Sequence, residues 1–449
     1  MTQLLIKQYV RSKGLMIGLL LLFITGVVSL HIGKVFLEQQ HETIENTAHA
    51  QKEHIDRNLG FVHGHIGLLL YYIRFGLANE APALAGLSIG HRDIRPPAQL
   101  VNIRNLEEQK NTSELVNPYY QLLGNMDFSF VLIYLFPLII IAICFNLFSE
   151  EKESGTWQLV SSQSQKPFRI IRAKILIRLV SVLLVLLLLF LIATVYLSIP
   201  LDKVYGAFVL SSILYILFWF VAVWFVINLD KSSNENALIL LSSWINLTIV
   251  IPAALNNVVE NLYPIPEAYE TTIDGRDGYH NKWDQPKEPT ILKFKEHYPQ
   301  FSKYEHPEDQ SFGWFWYYAI QQMGDDEATE ARQAMKDKLY ARNRFTKLIG
   351  YVLPSVHTQL SLNSLGKSDM SNYLNYMDAL EQFHEDKRLM FYPMIFENVA
   401  ISSEKWNEHK LEYFEDKRET EWIYLLLPIL IWSGLLLWLS RTKMKEQLK

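Results

Sequence analysis

Cysteine is nearly absent. The 449 residues contain one, Cys144, which excludes an intramolecular disulfide and any Cys-x-x-Cys metal or redox site. Surplus charge is absent too: the formal net charge is −5, too modest to imply a nucleic-acid partner. A nucleotide-binding loop is also missing. Gly366-Lys367-Ser368 has the right ending, but the leading glycine would fall at Ser361, and no apolar strand precedes it. His91-Arg92-Asp93 opens like a kinase catalytic loop, yet the required Asn would fall at Ala98. Ser355 and His357 have no acidic neighbour with which to form a nucleophile–base–acid set. The expectation is a chain that is not itself an enzyme and holds no cofactor.

What is present is apolar sequence, and it is concentrated. Hydrophobic residues make up 49% of the chain, gathered into runs without charge. Six runs are long enough to cross a bilayer, which takes about 20 residues per helix: 15–33, 128–148, 175–197, 204–229, 237–255 and 422–440. The class expected is an all-α polytopic membrane protein. Lys7, Arg11 and Lys13 before the first run resemble the start of a signal peptide, but His31, Lys34, Phe36 and Leu37 stand where a small-residue cleavage site belongs. An uncleaved membrane helix is expected there. Residues 1–14 form an amphipathic arm, with Leu5, Ile6, Tyr9 and Val10 at helical spacing. Short links at 198–203 and 230–236 make consecutive spans antiparallel neighbours.

Two polar segments remain, 34–127 and 256–421, expected to form two helix-rich extracytoplasmic domains. In the first, Phe36–Leu77 reads as one or two long helices with a break near Gly60 and Gly64. Arg95-Pro96-Pro97 and Asn117-Pro118 make its second half loop-rich. The second segment opens with a Pro- and Tyr-rich stretch, expected to be irregular, through Thr290. Helices are expected from Asp326 onward, at Met370–Met390 and at Ser403–Arg418, with Leu339, Phe345, Leu348, Val352, Leu360 and Leu374 inside. Basic residues flank the arm, the 167–174 segment and the 441–449 tail. Six spans place all three on one side, which the positive-inside rule makes the cytoplasm. Trp422 and Trp438 would anchor the last span at the two interfaces.

The loop at 149–174 carries the most specific signal. Glu150, Glu151 and Glu153 open it, and Gly155-Thr156 breaks the helix, with Thr156 placed to cap a short new one. Trp157 and Leu159 are apolar. Pro167 suits the start of the next helix, and Lys166, Arg169, Arg172 and Lys174 lead into the third span. The register Glu151, Glu153, Gly155, Thr156, Leu159, Lys174 resembles that of ABC-2-type transporter permeases, except that the family's proline eight residues after the threonine is Ser164 here. The resemblance implies the six-helix fold of that family. It implies that this loop, with Glu150, Glu151, Glu153, Gly155, Thr156, Trp157, Leu159 and Lys174, docks on a separate ABC ATPase. It also implies that ATP and Mg are held by that partner, and that a second permease subunit, identical or not, completes the unit. A second stretch resembles a subgroup of these permeases with a large domain between the last two spans, related to gliding-motility and copper-handling permeases. It comprises Leu353-Pro354-Ser355, Leu360, Leu362, Leu365-Gly366-Lys367-Ser368-Asp369, Tyr373, Phe383 and Arg388.

Other groups invite a function of their own. His41, His49, His54, His63 and His65 crowd one segment, and His63-Gly64-His65 offers two imidazoles to a metal. On a helix, though, residues two apart point to nearly opposite sides. Exposed helical histidines are the expectation, with His63 and His65 as weak metal candidates. Phe218, Trp219, Phe220, Trp224 and Phe225 read as lipid-facing or helix-packing surface. Asn146, Asn228, Asn246 and Asn256 should face helices or a cavity, because unpaired amides are costly in lipid. The function expected is export or extraction of a substrate across the inner (plasma) membrane, driven by the partner ATPase. The alternatives are an envelope machine that pulls on a periplasmic partner, and a sensor without an ATPase.

Overall fold

In the computed structural model, residues 2–110, 125–163, 167–307 and 311–447 are described. Asn117-Pro118, Ser164 and Lys166 lie outside them. Helix dominates, at 78% of the chain with 2% strand, as an all-α membrane protein requires. Among the described residues, six helices are long and apolar enough to span a bilayer: Lys13–Phe61, Phe128–Glu153, Phe168–Tyr196, Lys203–Ile227, Ser233–Leu262 and Trp422–Thr442. The second and fourth lie at the centre of the bundle. Phe128, Phe136, Phe208, Tyr215 and Trp219 are fully buried there. Phe218, Trp219 and Phe220 are therefore helix-packing residues, and Cys144 is buried as well.

Two prolines shape the bundle. Pro137 and Pro252 lack the N–H that an α-ladder uses, and a proline ring crowds the carbonyl one turn back. In both spans the turn just before widens to π-helix, over Val131–Leu135 and Asn246–Val250. A π turn absorbs the extra room without ending the helix.

The first span does not stop at the bilayer boundary. It runs unbroken for 49 residues, Lys13–Phe61, about 74 Å at 1.5 Å per residue. Its upper half enters a polar head. Gly33 lets that helix touch the head directly, since a Cβ there would lie 1.9 Å from the Gly86 carbonyl oxygen. The break expected near Gly60 and Gly64 falls at Val62–His65, before the helix Ile66–Tyr72.

Both polar segments are helix-rich, but they share one core. Ile66, Leu69 and Phe75 from the first pack with Phe294, Trp316, Tyr318, Phe391 and Trp406 from the second. A small sheet joins them too. Strand β1 (Phe75–Ala78) pairs antiparallel with β2 (Ala98–Val101) and parallel with β3 (Glu412–Tyr413), in the order β2-β1-β3. The head is thus one body built from two separated pieces of chain.

Three details of the second segment depart from expectation. The stretch expected to be irregular holds the helices Glu267–His280 and Lys287–His297. Pro266 and Pro286 precede them as starts rather than breaks. Gly275 and Gly278 sit inside the first helix because it packs closely on Gly324; a Cβ on Gly324 would come 2.7 Å from the Gly275 carbonyl oxygen. Conversely, Ser403–Arg418 is no helix. It is two short 3₁₀ turns and β3, drawn out by the sheet and by the ion pairs of Arg418. Finally, Leu374 is buried, whereas Leu348 and Val352 are well exposed.

A helix of the head, Pro354–Leu365, enters the bundle between the fourth and sixth spans. The Ser355 hydroxyl lies 3.1 Å from the Tyr215 hydroxyl, which donates to the Ile133 carbonyl oxygen in the π turn of the second span. His357 Nε2 is 2.9 Å from the Leu425 carbonyl oxygen. Ser355 and His357 thus have structural partners, not an acid.

Candidate functional site

At the end of the bundle opposite the head, the second span ends in the short helix Ser149–Glu153, and Ser154-Gly155 turns the chain. Gly155 has φ +77°, the left-handed region that L side chains avoid. This reversal aims the helix Thr156–Gln163 away from the span. Pro167 then precedes the third span, Phe168–Tyr196, as its N-cap.

The acids expected to seek an outside partner are engaged within the chain. The Glu151 carboxylate pairs with Lys174 and accepts from the Thr156 hydroxyl. That hydroxyl also donates to the Glu151 carbonyl oxygen, 3.1 Å away, so Thr156 ties the turn rather than capping its own helix. The Glu153 carboxylate accepts from Ser233 N (2.8 Å) and Ser233 Oγ (2.9 Å), at the start of the fifth span. Ser149 Oγ lies 2.8 Å from the same hydroxyl. Glu150 accepts from Asn146 Nδ2 at 2.8 Å. Lys152, between the acids, pairs with Asp230 and lies over the Phe148 ring, 4.6 Å from its centroid. Alternating carboxylates thus bind opposite directions: Glu151 holds the third span and Glu153 the fifth.

The apolar residues divide. Trp157 turns inward and packs edge-on against Phe148 (4.7 Å between centroids) and Phe168 (5.2 Å). It anchors the loop to its own bundle. Leu159 points out, 63% exposed. The helix Thr156–Gln163 buries none of its residues. The short helix is thus held at one end by an aromatic cluster and shows Leu159 to solvent. Asp230, Ser233, Phe148 and Phe168 were not singled out from sequence. The one available signal was the Ser232-x-x-Glu235 pattern, which forms a capping box and fixes where the fifth span starts.

His63 and His65 are not helical but lie at the break after the first span. His65 Nδ1 accepts from Gly67 N at 2.9 Å and caps the next helix. Among the described residues, no three His, Cys, Asp or Glu side chains converge as metal ligands.

In the head, the residues of the second resemblance hold the two segments together. Asp369 caps Met370–Phe396 and takes two bonds from Arg418, at 2.9 and 2.8 Å. Burial pushes the Asp369 carboxyl up, but the Arg418 guanidinium outweighs it and holds it below the usual range. Arg92, from the first segment, donates to the Lys367 carbonyl oxygen at 2.8 Å. Arg388 is buried and pairs with Asp325 at 2.7 Å while donating to the Arg104 carbonyl oxygen at 2.8 Å.

Residues 6–307 match the family described as ABC-2 family transporter protein, well over half of the chain. Residues 268–411 match a Domain of unknown function (DUF3526), which covers most of the second head segment. No curated protein and no solved structure matches.

Proposed function

The chain belongs to the ABC-2 transporter family, a membrane transport component with an added domain, and on that premise we propose that its Thr156–Gln163 loop receives the motion of a separate ABC ATPase. The supporting observation is the pair of carboxylate braces. A push on this loop reaches the third span through Glu151–Lys174 and the fifth through Glu153–Ser233. ATP and Mg belong to the partner, and this chain contributes packing changes rather than chemistry. The loop, the arm and the tail face the cytoplasm of the inner membrane, and the head lies outside. The reading implies export or extraction from the membrane.

A second copy of the chain, or a close relative, covers the fifth span. Only 11% of that span's apolar window is buried, against 61% for the second. Ser242 and Asn246 lie on its open face, and polar groups at membrane depth favour protein over lipid. A second reading, transmission of force to a periplasmic partner, draws support from the unbroken helix Lys13–Phe61, which joins bundle and head stiffly.

Leu159 is the cleanest probe, since charge reversal at Glu151 or Glu153 would break the loop's own braces. Burying a leucine is worth about 1.5–3 kcal/mol, so Leu159→Asp is expected to weaken ATPase co-purification at least about tenfold, with insertion unchanged. Wild-type recovery of the ATPase with Leu159→Asp would refute the docking site. Orientation is checked in Cys144→Ala cells with an impermeant maleimide: Lys52→Cys labels from outside, and Lys152→Cys or Lys231→Cys does not.

A further inference from the structure

A cavity of about 510 Å³ lies where the head meets the bundle, well within the range of about 300–1,000 Å³ for small-molecule sites. Its floor is apolar: Val204 at the start of the fourth span, Leu360 and Leu365 on the intruding helix, Tyr424 and Leu425 at the start of the sixth. Its roof is charged: Lys347, Lys367 and Arg418, with the Ser364 and Ser371 hydroxyls. The division follows the level at which two spans begin, so the cavity sits at the boundary between acyl chains and headgroups.

The roof charges are not equivalent. Arg418 is committed to Asp369 and Asp416. Those two carboxylates also lie near the lysines, but farther off: Lys347 Nζ is 4.0 Å from Asp369, and Lys367 Nζ is 3.7 Å from Asp416. Lys347 Nζ donates to Ser371 Oγ at 2.9 Å, and Lys367 Nζ to the Arg418 carbonyl oxygen at 2.8 Å. An ammonium carries three donors, so both lysines keep capacity toward the cavity. The cavity lining itself carries three cations, Lys347, Lys367 and Arg418, against two anions, Glu419 and Glu421.

A second observation comes from the surface beside the cavity. Leu348, Val352 and Tyr424 are 61%, 59% and 57% exposed, a cluster of large apolar side chains at the underside of the head. Water would penalise them, whereas acyl chains at this level would not.

We propose that this cavity binds one glycerophospholipid of the head-side leaflet. Its phosphate takes donors from Lys347, Lys367 and the Ser371 side of the roof, and its acyl chains leave across Leu348, Val352 and Tyr424. The site goes beyond the transport reading and does not depend on the ATPase.

The test uses the delipidated full chain in detergent, titrated by native mass spectrometry. Four probes are compared: dioleoyl phosphatidylglycerol, dioleoyl phosphatidylethanolamine, dioleoylglycerol (no phosphate) and glycerol 3-phosphate (no acyl chains). Both phospholipids should bind one per chain, at least tenfold tighter than either fragment. Lys347→Gln with Lys367→Gln should lower that affinity at least tenfold. Ser364→Trp, which fills the cavity and removes no charge, should abolish it. Lys303→Gln, at a surface pair with Glu397 far along the chain, should leave it intact. Equal binding of dioleoylglycerol would make the site merely greasy, and equal binding of glycerol 3-phosphate would make it an anion site. Either result overturns the proposal, as does undiminished phospholipid binding in the double variant or in Ser364→Trp.

Discussion

Replacing Gly155 separates two effects that a loop mutation usually confuses. A Cβ at this position would meet nothing within 4 Å, so a side chain brings no clash. What it brings is backbone strain: at φ +77° an L residue costs about 1–2 kcal/mol, and a β-branched one more. The helix that follows buries no residue and is held chiefly by Trp157 against Phe148 and Phe168. It therefore relieves the strain by re-aiming rather than by resisting. If the ATPase needs the left-handed turn, the strain is charged to the docked state. Gly155→Ala then weakens docking by about 5- to 30-fold, a factor of ten being about 1.4 kcal/mol. Gly155→Val does worse. Gly155→Asn stays near wild type, because asparagine tolerates the left-handed region. The assay is ATPase co-purification alongside ATP turnover coupled to any transport in reconstituted vesicles. The expected order is Gly ≈ Asn > Ala > Val, with the melting midpoint of the head unchanged. Asparagine behaving like valine, or alanine behaving like glycine, would refute the argument.

Gly33→Ala should prevent normal assembly of head and bundle, because its Cβ would lie 1.9 Å from a backbone oxygen; Gly60→Ala, with open space around it, should be neutral or slightly stabilising by fluorescence-detected size exclusion. Arg388→Met strands the buried Asp325 carboxylate and should cost about 3–5 kcal/mol, read as a lower melting midpoint; adding Asp325→Asn should return part of it. His297 is held above its ordinary pKa by hydrogen bonding to Asp326, against some burial. A raised folded-state value means its stabilisation is full below the unfolded value and is lost as pH rises through the folded one. His297→Gln should therefore lower the melting midpoint at pH 5.5 and leave it unchanged at pH 9.

The membrane half was legible because its signal is length and hydropathy, which no tertiary contact can rewrite. Six runs are expected, and the described residues hold six helices of that kind. The Gly155 turn was legible for a local reason, its need for a residue without a Cβ. The partners of the acids were not legible. Glu153 meets Ser233 eighty positions later, and no spacing rule connects them. In the head the misreadings share one cause. The Pro- and Tyr-rich stretch reads as irregular, yet Gly275 and Gly278 serve a close helix approach to Gly324, a property of the neighbour. Ser403–Arg418 has helix-forming composition, yet its backbone is claimed by β1 and its arginine by Asp369. Periodicity places Leu348 and Val352 in a core, yet both are exposed; helical spacing marks an apolar face and does not say what covers it.

The unbroken helix Lys13–Phe61 has a consequence for amplitude. A rod of about 74 Å turning by roughly 5° about its lower end sweeps its tip through about 6 Å, more than one helical turn of rise. Movements at the loop end too small to open a channel would still be large at the head. Gearing of this kind trades force for distance. A chain built this way suits work in which a long reach matters more than a hard push, and any kink engineered midway, such as a proline at Gln39, should cut the stroke without touching either end.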